Sequence, residues 1–387
     1  MYSERRVAFA LASRAPVPVR CIRAARRLLL LLALCLAAAA RVPAQPATAV
    51  FTGMVVDSTS GTPLPGAHVF IAGSMIGTTT DREGRYRLER VPPGAHRLYV
   101  SMVGFEPVHI DALVTAGQTL HYDAYLVPSV IELGEVTVEA RKDTKWQKRL
   151  KTFIRQFLGE TPNAAETKIL NPEVLDFDGT WWGKLEARAA EPLVIENRAL
   201  GYRIHYFLKE FISTGVTIKY DGEPLFEELP PRDDAEAERW RQNRRRAFFG
   251  SFRHFMLAAL GDSTREAGFV THRLLALEDA RRSHPRFPLH MADVFDEGPT
   301  PETRTLRFRG FIEVTYLKEK EDPAYLRWEH SYYQRTPGSQ RSWISLTDGP
   351  TAVDPTGTIV DPYGVTVYGY FAFERVADEL PKEYRPD

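Results

Sequence analysis

The chain has 387 residues, 44% hydrophobic and 26% charged, which excludes a disordered polymer and predicts folded domains. Lysine and arginine balance aspartate and glutamate at 50 each, yet residues 1–44 hold eight arginines and one glutamate, leaving 42 basic and 49 acidic side chains beyond them. A remainder that acidic argues against a nucleic-acid partner, which needs a basic face.

The first element in chain order is a targeting segment. Arg20, Arg23, Arg26 and Arg27 precede an unbroken apolar run from Leu28 to Ala40, followed by Val42-Pro43-Ala44. A charged stretch, a short apolar run and a small-residue site predict a signal peptide over residues 1–44, cut after Ala44. The run is too short for a permanent membrane anchor. Cys35 makes a poor lipoprotein cysteine, because Leu34 stands where a small residue is expected and the apolar run continues past it. Arg5-Arg6 lacks the nearby apolar stretch of a twin-arginine signal. Both cysteines, Cys21 and Cys35, fall inside this segment. The remainder therefore has no disulfide, no thiolate metal site and no cysteine nucleophile. The expected location is the cell envelope, periplasmic or associated with the outer membrane.

Residues 48–128 read as short strands separated by turns at close spacing, the pattern of an antiparallel sandwich. Val50–Val56 is a strand, Asp57-Ser58-Thr59-Ser60-Gly61 a turn cluster, and Ala67–Ile71 and Ile76–Thr80 are strands. Asp81-Arg82-Glu83-Gly84 is a hairpin loop with glycine where a left-handed backbone costs least. Tyr86-Arg87-Leu88 alternates, Val91-Pro92-Pro93-Gly94 turns, and His96–Val103 sets Leu98, Val100 and Met102 on one face. Gln118–Val127 closes the set with Leu120, Tyr122, Ala124 and Leu126. Asp57, Asp81 and Glu83 are read as turn carboxylates holding local amides rather than calcium ligands, since no spaced loop with a closing bidentate glutamate is present.

The strings Phe51-Thr52-Gly53-Met54-Val55-Val56-Asp57, Gly61-Thr62-Pro63-Leu64-Pro65-Gly66-Ala67, Gly77-Thr78-Thr79-Thr80-Asp81, Gly84-Arg85-Tyr86, Val91-Pro92-Pro93-Gly94 and Val103-Gly104-Phe105 together resemble the carboxypeptidase regulatory-like domain. That resemblance implies a seven-stranded transthyretin-like (prealbumin-like) β-sandwich acting as an accessory to its C-terminal neighbour. With Leu133-Gly134-Glu135-Val136-Thr137-Val138 it is similar to the N-terminal extension of TonB-dependent outer-membrane receptors of Bacteroidota-type envelopes.

Residues 129–160 are expected to be a linker and an amphipathic helix. Trp146, Leu150, Phe153, Ile154, Phe157 and Leu158 share a face, and Gly159 is a plausible stop. Its basic face could lie on a membrane, but packing on the adjoining domain is the preferred reading. Residues 161–387 read as a β-rich α+β domain. Strands are expected around Leu185–Ala189 and Ile204–Leu208, and Val216–Tyr220 should run into a hairpin at Asp221-Gly222. Helices are expected at Asp234–Arg246 and after Gly250-Ser251. Further strands are expected at Arg304–Lys318, Tyr325–Gln334, Ser342–Thr347 and Val365–Arg375, with Pro285–Pro301 irregular. The fold class is thus mainly β, a sandwich followed by a β-rich α+β domain. The segments Ile195–Tyr202 and Val376–Tyr384 are similar to the tail of secreted two-domain proteins that pair such a sandwich with an uncharacterised partner, and this similarity implies no activity.

No chemistry stands out. None of the ten histidines (His68, His96, His109, His121, His205, His254, His272, His284, His290, His330) begins a His-x-x-Glu or His-x-x-x-His pattern, so no peptidase zinc pair is present. No Gly-x-Ser-x-Gly elbow, P-loop or dinucleotide fingerprint occurs. Three clusters invite a functional reading. Trp181-Trp182 with Tyr202, Tyr206 and Tyr220 could form a sugar platform, Arg239-Trp240-Arg241 with Arg244-Arg245-Arg246 could bind an anionic polymer, and His254, Asp262 and His272 flank a helix end. Packing, solvated ion pairs and capping are the preferred readings of the three. No catalytic, cofactor-binding or metal residue is assigned, and no cofactor is expected. The expected function is that of an exported, non-catalytic envelope protein whose sandwich docks or binds a protein or glycan, with possible peripheral association with the outer membrane. The alternatives are a hydrolase of unknown class with its site in the second domain, which a deep pocket holding two or more carboxylates or histidines at catalytic distance would favour, and a small outer-membrane barrel.

Overall fold

The computed structural model describes residues 48–129, 143–180, 183–281, 286–329 and 335–386. The expected signal peptide, most of the linker, Trp181-Trp182, His284 and His330 lie outside the described residues. The sandwich contains β1 (Ala49–Asp57), β2 (His68–Ile71), β3 (Gly77–Thr79), β4 (Arg85–Val91), β5 (Gly94–Ser101), β6 (Val108–Val114), β7 (Thr119–His121) and β8 (Ala124–Leu126). One sheet runs β4-β1-β7 with β8 also on β1, and the other runs β3-β2-β5-β6. Strand β6 is an addition to the expected set, and its Val108, Ile110, Ala112 and Val114 alternate onto one face.

The expected strand Gln118–Val127 is instead two pieces, β7 and β8, both pairing parallel with β1 rather than antiparallel. The break has a chemical cause. The Asp123 carboxylate accepts the Met54 amide at 2.8 Å, replacing a ladder bond, and the Tyr122 carbonyl sits where a side chain on Gly53 would be. Between the sheets Phe51, Val55, Val69, Leu98, Val100 and Leu126 are buried. Thr80 pins the β1–β2 connection: its hydroxyl donates to the Leu64 carbonyl at 2.6 Å and accepts the Ala67 amide at 2.9 Å. Thr80→Val should strand both groups and lower the unfolding free energy by about 1–3 kcal/mol, measured from urea midpoints.

Beyond the sandwich, α1 (Thr144–Phe157) begins at Asp143, whose carboxylate accepts the Lys145 amide, and is followed by α2 (Pro162–Ala165). The next strands are β9 (Thr167–Ile169), β10 (Leu175–Gly179), β11 (Leu185–Ala189), β12 (Leu193–Asn197), β13 (Tyr202–Ser213) and β14 (Ile218–Glu228). They form one six-stranded sheet, β10-β11-β13-β12-β9 with β14 also on β13. The apolar face of α1 lies on this sheet. Phe153 and Phe157 are fully buried against Phe177, Tyr206 and Phe211, and Arg149 from the polar side donates to the Phe177 and Gly179 carbonyls.

Asp221-Gly222 does not make a hairpin. It sits inside β14 beside a bulge in β13 between Leu208 and Glu210, and the chain reverses instead at Thr214–Thr217. Glycine is required at 222 because a Cβ would stand 2.6 Å from the Tyr206 ring and 2.7 Å from the Phe207 carbonyl. Close approach, rather than turn geometry, explains the residue.

The C-terminal part adds α3 (Asp234–Phe248), α4 (Phe252–Leu260), α5 (Thr264–Ala267), β15 (Phe269–Leu274), β16 (Phe287–Pro288), β17 (Phe295–Glu297), β18 (Arg304–Leu306) and β19 (Phe311–Lys320). After these come α6 (Pro323–Trp328), β20 (Ser339–Leu346), β21 (Thr351–Val353), β22 (Val365–Gly369) and α7 (Tyr370–Phe373). A five-stranded sheet, β16-β15-β19-β20-β22, packs on α4, and β17-β18-β21 forms a three-stranded sheet beside it. The expected strand at Tyr325–Gln334 is a helix over its described part, because Asp322 caps the Ala324 amide at 2.7 Å and Pro323 opens the first turn. The expected strand Val365–Arg375 stops at Gly369, which has a φ of 70°. Every sheet order is open and the widest has six strands, so the described residues do not form an eight-to-ten-stranded membrane barrel.

Residues Ala47–Asp387 form one compact unit, and the joint between the sandwich and the six-stranded sheet shows why. Gly73 donates to the Pro224 carbonyl at 2.8 Å, Phe226 donates to the Ser74 carbonyl at 2.9 Å, and Ser74 and Leu225 form a parallel bridge. Phe70 and Tyr99, on the outer face of their sheet, pack on Phe207 with ring centroids 4.8 and 5.9 Å away. The C-terminal segment crosses the joint as a strap. Lys382 donates its amide to the Gly73 carbonyl, and the Arg253 guanidinium reaches the Pro381, Lys382 and Tyr384 carbonyls.

Candidate functional site

The joint encloses a cavity of about 670 Å³, within the size range of sites for small ligands. Arg97 and Asp111 line it from the sandwich, Glu223 and Tyr220 from β14, Phe252 and Arg253 from α4, and Glu374, Asp378, Glu379 and Lys382 from the strap. A second hollow of about 1190 Å³ shares Tyr220, Arg253, Arg375 and Glu379 among its walls.

Local chemistry fixes each side chain. Arg97 bridges Asp111 at 2.9 Å and Glu223 at 3.3 Å, tying β5 to β14. Arg253 is held by backbone carbonyls, including that of Thr356 at 3.3 Å, and burial lowers its guanidinium to about 10, so it remains charged. Lys382 reaches Asp354 at 3.4 Å. Asp378 accepts Thr161 Oγ1 at 3.0 Å, Asn163 Nδ2 at 2.9 Å and the Arg375 amide at 3.3 Å. These bonds anchor the strap to α2.

Three strap carboxyls titrate abnormally. Burial pushes Asp378 up to about 6, and burial with repulsion from Asp378 and Glu223 pushes Glu379 up to about 7. Burial raises Glu374 well above its ordinary range. All three are half-buried and line the cavity. Because the fold holds the Glu379 proton to a higher pH than the unfolded chain does, the folded state binds more protons between about 4.5 and 7. The Glu379 contribution to stability therefore falls as pH rises through that window. Glu379→Gln should match the parent near pH 4 and exceed it by on the order of 3 kcal/mol at pH 8, read from urea midpoints at both pH values. His254, lowered to about 4 by burial, contributes an opposite slope to both proteins and cancels in the difference.

The three clusters singled out by residue type are dispersed. Tyr202 is buried in the core of the six-stranded sheet, while Tyr206, itself buried, and Tyr220 border the cavity. The α3 arginines are spent inside the molecule: Arg239 on Glu166 at 2.7 Å, Arg241 on Glu238, and Arg244 on Glu228 at 2.7 Å and over the Tyr202 ring. His254 accepts the Gly250 amide and packs among rings, Asp262 pairs with His290 at 3.4 Å, and His272 lies 3.8 Å from Glu313. Asp57 and Asp81 hold turn amides at 2.7 and 2.8 Å. Among the described residues no group of three or more His, Cys, Asp or Glu is placed to hold a metal ion, and no helix is long and apolar enough to cross a membrane. Sequence reasoning missed the strap, whose acids look like those of any exposed turn.

No curated protein matches the chain. Solved structures are similar over a minor part of it. A 3-chlorocatechol 1,2-dioxygenase from Rhodococcus opacus 1CP is 14% identical over 23% of this chain and 63% of its own, with a TM-score of 0.19. BcpA, the major pilin subunit of Bacillus cereus, is 14% identical over 22% of this chain and 31% of its own, with a TM-score of 0.19. The 5-hydroxyisourate hydrolase of Klebsiella pneumoniae is 17% identical over 21% of this chain and 91% of its own, with a TM-score of 0.17. The chain thus spans less than two thirds of the length of the first two. Residues 51–138 match the family model of the CarboxypepD_reg-like domain, and the β-sandwich of this protein is a domain of that kind.

Proposed function

We propose that this is an exported, non-catalytic protein of the cell envelope that binds a ligand in the cavity at the joint, with the CarboxypepD_reg-like sandwich as a fixed wall of the site. One observation carries this reading: residues of the sandwich, of β14, of α4 and of the strap line one cavity. The arginine-rich start and the apolar run Leu28–Ala40 support export. The ligand class comes from the setting: a fragment of an envelope glycan or a short segment of an envelope protein. Peripheral association with the outer membrane fits the same reading. The test has two parts. The tagged full chain should fractionate with the envelope and be released by a carbonate wash. The purified protein should show saturable stabilisation with at least one member of a panel of peptidoglycan fragments, oligosaccharides and short peptides. Cytoplasmic retention, or no response across the panel, would count against the proposal.

One observation favours a hydrolase as the second reading: two adjacent cavity carboxyls, Asp378 and Glu379, sit in a proton-trading range. Against it, the Asp378 oxygens are already committed to Thr161, Asn163 and the Arg375 amide. Turnover of any panel member, abolished by Glu379→Gln, would establish the second reading over the first.

A further inference from the structure

The cavity wall holds more carboxyl groups than the protein supplies cations to satisfy. Arg97 is shared by Asp111 and Glu223, and Lys382 serves Asp354. Arg253 is engaged by carbonyls, and Arg375 lies beside the Tyr220 hydroxyl. Glu374 and Glu379 are left. Neither side-chain carboxyl has a hydrogen-bonding or ion-pairing partner among the described residues. The charges acting on them are other acids: Asp378 and Glu319 on Glu374, and Asp378 and Glu223 on Glu379. Tyr206, Tyr220 and Phe371 border the same cavity. Partly buried carboxyls without counter-ions are costly in their ionised form unless a cation is brought to them, and aromatic faces favour a cation over an anion.

We propose that the cavity binds a small organic cation, a primary ammonium on an aliphatic stem, with Glu374 and Glu379 as its counter-ions and the Tyr220 and Phe371 rings along the stem. This rests on the ligand-site reading above and names its ligand class. Among the glycan and peptide ligands considered above it selects those that carry an ammonium, and it disfavours ligands whose only charge is a phosphate or carboxylate.

Proton linkage is a consequence. The groups facing Glu379 are Asp378 on the strap, Glu223 and Tyr220 on β14 and Tyr206 on β13, with Arg375 beside Tyr220. The protein itself keeps the Glu379 proton up to about 7, and a bound ammonium expels it. Affinity therefore rises with pH through that value.

The test is calorimetric titration of the full chain with cadaverine at pH 6 and pH 8, with 1,5-pentanediol and glutarate as neutral and anionic matches of the same length. Cadaverine should bind, about tenfold more tightly at pH 8, with proton release at pH 6 seen as a dependence on buffer ionisation heat. Glu379→Gln should lose at least about tenfold in affinity and the pH dependence, with circular dichroism confirming its fold. Glu89→Gln on the outer sandwich surface should behave as the parent. Pentanediol or glutarate binding in place of cadaverine would overturn the cation inference while leaving a ligand cavity. Cadaverine binding that is independent of pH would also overturn it. Silence from all three would overturn it as well, and the ligand-site reading would then be judged separately by the glycan and peptide panel.

Discussion

Replacing Gly201 with valine is expected to destabilise the protein by about 4 kcal/mol or more, a loss reserved for sites where strain and overpacking coincide. Gly201 has a φ of 74°, in the left-handed region that a β-branched residue resists. A Cβ there would fall inside the Trp240 ring, and Trp240 is only 2% exposed. The ring cannot yield, because α3 is fastened to this turn carbonyl by carbonyl. Trp240 Nε1 donates to Arg198 O at 2.7 Å, Asn243 Nδ2 to Ala199 O at 2.8 Å, and Arg244 Nε to Leu200 O at 2.7 Å. Backbone strain and overpacking therefore add. Gly201→Ala should lose less, since it brings the clash without the branched side chain. Urea unfolding followed by circular dichroism checks the series, and a parental midpoint for the valine variant would show that α3 does not clamp the turn.

Phe70→Ala should cost about 3–5 kcal/mol and also change how the protein unfolds. Phe70 is fully buried, not in the sandwich core but on its outer face, between Tyr99 and Phe207. None of the six tryptophans lies in residues 48–128, so their fluorescence reports on the rest of the chain while far-ultraviolet dichroism reports on both parts. In the parent the two signals should coincide. In Phe70→Ala they should separate, because the joint loses its central ring. Separate transitions already present in the parent would show that the sandwich and the six-stranded sheet do not unfold as one.

Much of the sandwich was legible because turn chemistry is local. Gly84 takes a φ of 73° in the expected hairpin loop, and Asp57 and Asp81 hold the amides of their own turns. The α1 stripe was legible for a similar reason, since six apolar side chains at helical spacing need only a face to lie on. What failed was nonlocal. Asp221-Gly222 has the composition of a hairpin, yet Gly222 exists for the Tyr206 ring on a neighbouring strand. The aromatic run after Pro323 has β propensity, yet a cap at Asp322 makes its beginning helical. The strap acids gave no signal, because their surroundings come from three distant segments. One clue was present and unread: Val69-Phe70-Ile71 and Leu98-Tyr99-Val100 are continuous apolar runs rather than alternating ones, the mark of strands covered on both faces.

The joint at Gly73–Ser74 is made largely by main-chain atoms, which carry no record of side-chain identity. Side chains add the selectivity there: the Phe70 and Tyr99 rings on Phe207 and the Arg97 bridge to Glu223. Exchanging the sandwich for one of different surface would therefore have to keep a glycine at the crossing, an outward ring and that cation.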